Sequence, residues 1–121
     1  MTEGELLARA DAIAAQAYAP YSRFHVGAVV VTRDGRMFEG VNVENAAYPL
    51  GVCAERVALS RAATNGVRPG EVVAIAVNAS PCGGCRQWLH EWRVERVTYR
   101  RGNGEVVTRS VDEILPDSFD L

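Results

Sequence analysis

Cys53 and Glu55 in "CAER", together with Cys82 and Cys85 in "SPCGGCRQ", are the residues whose types and spacing offer chemistry. Taken alone, C-x-x-C suits a redox pair, half of a structural zinc knot or part of a catalytic metal centre. The chain holds three cysteines in all. Three thiolates on zinc leave the fourth tetrahedral position open to water, which marks a catalytic site rather than a closed structural one. Glu55 is then the carboxylate beside the metal, free to serve as general acid and base.

A short C-x-E element followed by P-C-x-x-C is the arrangement of zinc-dependent deaminases, and both halves occur here in order at the starts of expected helices. Two helix N-termini aimed at the metal, each worth roughly half a positive charge, would draw electron density from three thiolates. Arg56 adds a full positive charge as a partner to one or two of the sulfurs. A thioredoxin-like reading leaves Cys53 and Glu55 without a role. A four-ligand structural zinc would need His25 or His90, each of which reads more simply as a strand or surface residue.

The elements that must position these groups follow from the patterning. "TEGELLARADAIAAQAYA" carries apolar residues at helical spacing behind a Thr2/Glu5 capping box, predicting a helix to about Tyr18. "FHVGAVVVT" and "RMFEGVNVE" read as antiparallel strands joined at Asp34-Gly35. "CAERVALSRAAT" is an amphipathic helix closed by Asn65-Gly66, "EVVAIAVNA" a buried central strand, and "GGCRQWLHEW" a further helix. "VERVTYR" and "EVVTRS" are strands around "GNG", before a short "VDEIL" helix stopped at Pro116. The order predicts an α/β fold, a three-layer sandwich of one five-stranded mixed sheet between helices. One strand between the two cysteine-bearing helices lets both N-termini end at the same sheet edge.

Length and composition bound the rest. With 121 residues, 48% of them hydrophobic and 23% charged, residues 1–121 are expected to form one domain. A formal charge of −2 with scattered arginines leaves no basic stripe for a polymeric nucleic acid. No apolar run approaches the roughly 20 residues of a membrane span, and no signal-peptide pattern is present, so a cytoplasmic location is expected. A reducing cytosol keeps the cysteines as thiols.

"APYSRFHVGA", "GVNVENAAYPLGVCAER", "SPCGGCRQ" and "ILPDSF" together resemble the small homotetrameric cytidine deaminases, nearly end to end. The resemblance implies one Zn²⁺ per subunit on Cys53, Cys82 and Cys85, with Glu55 shuttling protons. The implied reaction converts cytidine or 2′-deoxycytidine to the uridine form plus ammonia, in pyrimidine salvage. It implies that Asn42 and Glu44 hold the ribose hydroxyls, that Phe24 lies against the nucleoside, and that the Ala54 backbone meets the pyrimidine edge. Ala46, Tyr48 and Phe119 are implied to reach a neighbouring subunit's site, so a homotetramer with shared sites is expected. Without the resemblance, Tyr48 would read as a loop aromatic and Phe119 as a tail packed on its own core.

Only "VNA" separates the central strand from "SPC", where relatives commonly carry several more residues, so the rim of the site is altered. Gly84 replaces a side chain common in relatives, and the chain ends soon after Phe119. A deaminase of a modified cytosine nucleoside such as blasticidin S is the nearest alternative. A non-enzymatic zinc module is the alternative from another class.

Overall fold

The computed structural model describes residues 1–121. Helix α1 (Glu3–Ile13) opens at Thr2, whose hydroxyl and the Glu5 carboxylate complete a capping box. The hairpin of β1 (Gly27–Thr32) and β2 (Met37–Val41) leads to α2 (Ala54–Thr64), β3 (Val72–Val77) and α3 (Gly83–Glu91). Strands β4 (Arg96–Arg100) and β5 (Val106–Arg109) and the short α4 (Val111–Ile114) complete the fold. The sheet order is β2-β1-β3-β4-β5, with β3 and β4 parallel and every other pair antiparallel. This is the expected five-stranded mixed sheet.

Central β3 carries Ile75, Ala76 and Val77, all fully buried. Its two faces feed separate cores, as a continuous apolar strand between helical layers requires. On one face Leu6, Leu7 and Ala10 of α1 meet Val29, Ala74 and Ala76. On the other, Ala58 and Leu59 of α2 and Leu89 of α3 close over Val30, Ile75 and Val97. The end of α2 is a Schellman motif, with Val67 N–H on Ala62 O and Gly66 N–H on Ala63 O. Gly66 supplies the left-handed backbone there, at φ 90°.

Two element ends differ from expectation. Helix α1 stops at Ile13 and continues only as a 3₁₀ turn to Gln16, short of Tyr18. The backbone of Tyr18 is needed elsewhere: its N–H donates to Asn42 O at 3.0 Å and its carbonyl accepts from Glu44 N–H at 2.8 Å. Strand β1 begins at Gly27 rather than Phe24, because Arg23 lies at φ 59° and the chain runs irregularly to Val26. That irregular segment borders the site.

Candidate active site

Register places the start of β1, the end of β2 and the end of β3 at one sheet edge, through Gly27 opposite Val41 and Ala28 opposite Val77. Both cysteine-bearing helices begin there. Cys53 is the N-cap of α2 and Cys82 that of α3, where the Cys82 sulfur accepts from Cys85 N–H at 3.4 Å. The three sulfurs lie within 4.8 Å of one another, with Cys53 and Cys82 3.9 Å apart. Tetrahedral zinc with bonds of about 2.3 Å spaces its sulfurs by about 3.8 Å.

Arg56 Nη2 donates to Cys53 Sγ at 3.7 Å, and its buried Nε has no partner within the protein. The hydrogen bond from the Cys85 thiol holds Cys53 down, to about 5, with Arg56 and Cys82 adding to the effect against burial. The same bond, followed by burial, pushes Cys85 up. The crowded thiols cannot all ionise unaided, and a divalent cation removes that conflict. Three soft sulfurs within 4.8 Å of one another, one pair at 3.9 Å, beside a guanidinium fit zinc. Neither histidine joins them: His25 Nδ1 faces Arg23 O at 3.1 Å, and His90 contacts the C-terminal tail.

Glu55, in the first turn of α2, is 3% exposed. Burial pushes its carboxyl up, and the negative charge of Cys53 acts in the same direction, against hydrogen bonds from its own N–H and from Cys85. It opens on a cavity of about 190 Å³ bounded also by Phe24, Asn42, Cys53, Ala54 and Cys82. A second recess of about 240 Å³ shares Asn42 and Cys53 and extends to Glu44, Tyr21 and Tyr48. The inner cavity is mostly apolar around one carboxyl and the thiols, and the outer recess mixes the polar side chains of Asn42, Glu44 and Asn45 with apolar ones.

Asn42 and Glu44 are both tied to the 18–26 segment. Asn42 Oδ1 accepts from Val26 N–H at 2.9 Å, and its Nδ2 donates to Phe24 O at 2.8 Å. Glu44 accepts from Tyr21 N–H at 3.0 Å, from Ser22 N–H at 3.1 Å and from the Ser22 hydroxyl. The Ser22 hydroxyl, then the Ser22 N–H, hold its carboxyl below the usual range. Each side chain keeps spare capacity: one Nδ2 hydrogen and one Oδ1 lone pair on Asn42, and one lone-pair site on Glu44.

Ala46 and Phe119 border neither cavity, and Tyr48 stands at the outer rim, 86% exposed. Ser118 and Asp120 both bond His90, at 3.1 and 2.9 Å, and Phe119 between them is 66% exposed. The tail is docked by its polar residues, and the aromatic does not pack on its own core.

Residues 1–101 match the family model described as the cytidine and deoxycytidylate deaminase zinc-binding region. The chain belongs to the cytidine deaminase family. It is 45% identical over 111 residues to a cytidine deaminase of Halalkalibacterium halodurans, covering 85% of this chain and 83% of that one. It is 36% identical over 121 residues to a Sporosarcina psychrophila cytidine deaminase, covering 95% and 89%. A crystal structure of cytidine deaminase from Burkholderia pseudomallei superposes with a TM-score of 0.91 at 46% identity, covering 98% of this chain and all of that one. The chain is thus a cytidine deaminase family enzyme, and the expected α/β architecture is that of its relatives.

Three residues that build this deaminase site are given no role by the motif reading, although Gly40 and Arg86 lie inside its segments. Gly40 of β2 lets α2 approach so closely that a Cβ there would lie 2.4 Å from Ala58 N and 2.6 Å from Ala54 O. An isolated glycine inside a strand pattern is the signal that marks such an approach. Arg86 ties the start of α3 to its surroundings, donating to Pro81 O at 2.9 Å, Ile114 O at 2.9 Å and Ser80 Oγ at 3.2 Å. Asn78, the polar residue that ends the apolar β3 run, bonds Gly27 N–H at 3.0 Å.

Proposed function

We propose that this chain hydrolyses cytidine and 2′-deoxycytidine to uridine and 2′-deoxyuridine plus ammonia, in cytoplasmic pyrimidine salvage. One Zn²⁺ per subunit is held by Cys53, Cys82 and Cys85. The observation that carries the reading is the buried Glu55 carboxyl opening, beside the three thiols, on a cavity walled by Phe24 and Ala54.

Zinc, when bound, supplies Lewis acidity that makes water a nucleophile near neutral pH. Glu55 takes one proton of the attacking water and delivers it to N3 of the cytosine ring, then moves the other, from the new C4 hydroxyl, to the amine, so that the C4–N bond breaks to release ammonia and the C4 carbonyl forms. Its buried position, with a carboxyl that burial pushes up from its ordinary range, suits a group that must both accept and return a proton. Phe24 lies against the base, and the backbone of Ala54 meets the pyrimidine edge. Asn42 and Glu44 use their spare capacity on the ribose hydroxyls from the outer recess. Arg56 offsets the charge of the thiolates.

The chain acts as a single domain within a homotetramer whose sites are shared. The exposure of Tyr48 and Phe119 supports this reading, because each offers apolar area that a neighbouring subunit's site would cover. The name of the matching family model and the sulfur spacing support zinc.

The test is a spectrophotometric assay with cytidine, 2′-deoxycytidine and blasticidin S, alongside zinc stoichiometry. Turnover of the two plain nucleosides with one zinc per chain is expected. Preference for blasticidin S overturns the substrate assignment, and tight zinc without turnover of any of the three supports a non-enzymatic module. Mixing Glu55→Gln with Phe119→Ala chains checks shared sites, since hybrid tetramers would regain activity that neither variant has alone.

A further inference from the structure

The segment from Phe24 to Gly27 is neither helix nor, until Gly27, strand, yet it forms one wall of the cavity that holds Glu55. Its backbone groups need partners that secondary structure does not supply there. Two side-chain amides supply them from opposite sides. From the end of β2, Asn42 takes Val26 N–H and Phe24 O, at 2.9 and 2.8 Å. From the end of β3, Asn78 takes Gly27 N–H at 3.0 Å and donates to His25 O at 3.4 Å, while its own N–H reaches Gly27 O at 3.3 Å. Four consecutive residues are thus held in alternation by two asparagines.

Asn78 also heads the short connection Asn78-Ala79-Ser80, whose last two residues line the same cavity. One residue therefore joins two walls: the aromatic one carrying Phe24 and the rim leading to Cys82. Phe24 is 61% exposed, so little of its own packing fixes the ring. Its orientation depends on the backbone that the amides hold together with the Ser22 hydroxyl, which accepts from Phe24 N–H at 3.0 Å.

We propose that Asn78 is a positioning residue for nucleoside binding, acting through Phe24 to set the width of the slot that receives the cytosine ring. It touches neither the thiols nor Glu55 in this role, so it governs substrate affinity rather than the proton steps. The inference rests on the function proposed above.

The test is steady-state kinetics with cytidine on the full-length zinc-loaded enzyme, for Asn78→Ala, Phe24→Ala and the double variant. Loss of the amide should raise KM roughly tenfold, as expected for a lost partly buried hydrogen bond, with kcat and zinc content nearly unchanged. In the Phe24→Ala background the same substitution should change KM by less than about twofold, because the ring through which it acts is gone. Asn78→Asp, which keeps the acceptor for Gly27 N–H, should recover much of the affinity and serves if the alanine variant does not fold. An unchanged KM in Asn78→Ala, equal effects with and without Phe24, or loss confined to kcat overturns the inference while leaving the proposed reaction standing. Absence of cytidine turnover in the unaltered enzyme overturns the proposed reaction and the inference with it.

Discussion

Replacing Gly40 with alanine should damage both stability and catalysis, because the methyl would point into the backbone of the helix that carries Cys53 and Glu55. Its Cβ would lie 2.4 Å from Ala58 N and 2.6 Å from Ala54 O, where about 3.0 Å is the closest real approach. Neither obstacle is a flexible side chain. Helix α2 must therefore retreat from β2 by at least about 0.6 Å, or the strand must bend. Overpacking against two backbone atoms belongs at the upper end of the usual range, about 3 kcal/mol. With an unfolding entropy of about 0.25 kcal/mol/K for a chain of this length, Tm should drop by roughly 12 °C. The retreat carries Cys53 away from Cys82 on α3, so chelator-driven zinc release should quicken and kcat/KM fall by roughly tenfold or more. Gly66→Ala is the control, since its Cβ meets nothing within 4 Å and the only penalty is the φ of +90°. That strain costs about 1 kcal/mol, roughly 4 °C, and should leave kcat/KM unchanged. A Gly40→Ala protein with Tm within 2 °C of the original and unaltered zinc release would refute the close-approach argument.

Glu55→Gln should keep one zinc per chain while lowering kcat by roughly a thousandfold, whereas Cys85→Ala should lose the metal; metal analysis beside the assay separates the two, and near-full activity of Glu55→Gln rules out the proton shuttle. Arg86→Ala removes three hydrogen bonds at the start of α3 and should cost about 2 kcal/mol in urea denaturation and speed zinc release, so unchanged release would show that Cys82 is positioned without it. Ser22 lowers the Glu44 carboxyl from its ordinary 4.5, so this contribution to stability is complete above that pH and is lost as pH falls through the lowered value. The stability difference between the unaltered protein and Ser22→Ala should therefore be full at pH 6 and shrink by pH 3 to the part owed to Phe24 N–H, which donates to Ser22 Oγ at 3.0 Å, and a difference as large at pH 3 as at pH 6 would show that Glu44 contributes nothing to it.

Much of this deaminase was legible in its residues, and the limits follow from the range over which each signal acts. The capping box at Thr2, the Asn65-Gly66 stop and the buried β3 run are local, so they appear where the patterns put them. Zinc coordination chemistry demands particular residue types, so Cys53, Cys82 and Cys85 could be grouped before any distance was known, and their sulfurs do converge. The early end of α1 and late start of β1 were not legible. They depend on where Asn42 and Glu44 lie in space, and nothing in the helical period of "AAQAYA" records a bond to residues more than twenty positions away.

Residue chemistry by itself thus determined which side chains can hold a metal and move a proton, and helical apolar spacing with continuous apolar runs determined the layered sheet between helices. The tertiary structure alone decided how closely those groups meet. A backbone approach that only Gly40 permits and a cavity wall held from two strands by Asn42 and Asn78 are contacts between distant segments. Their energies depend on packing distance, which linear spacing does not encode.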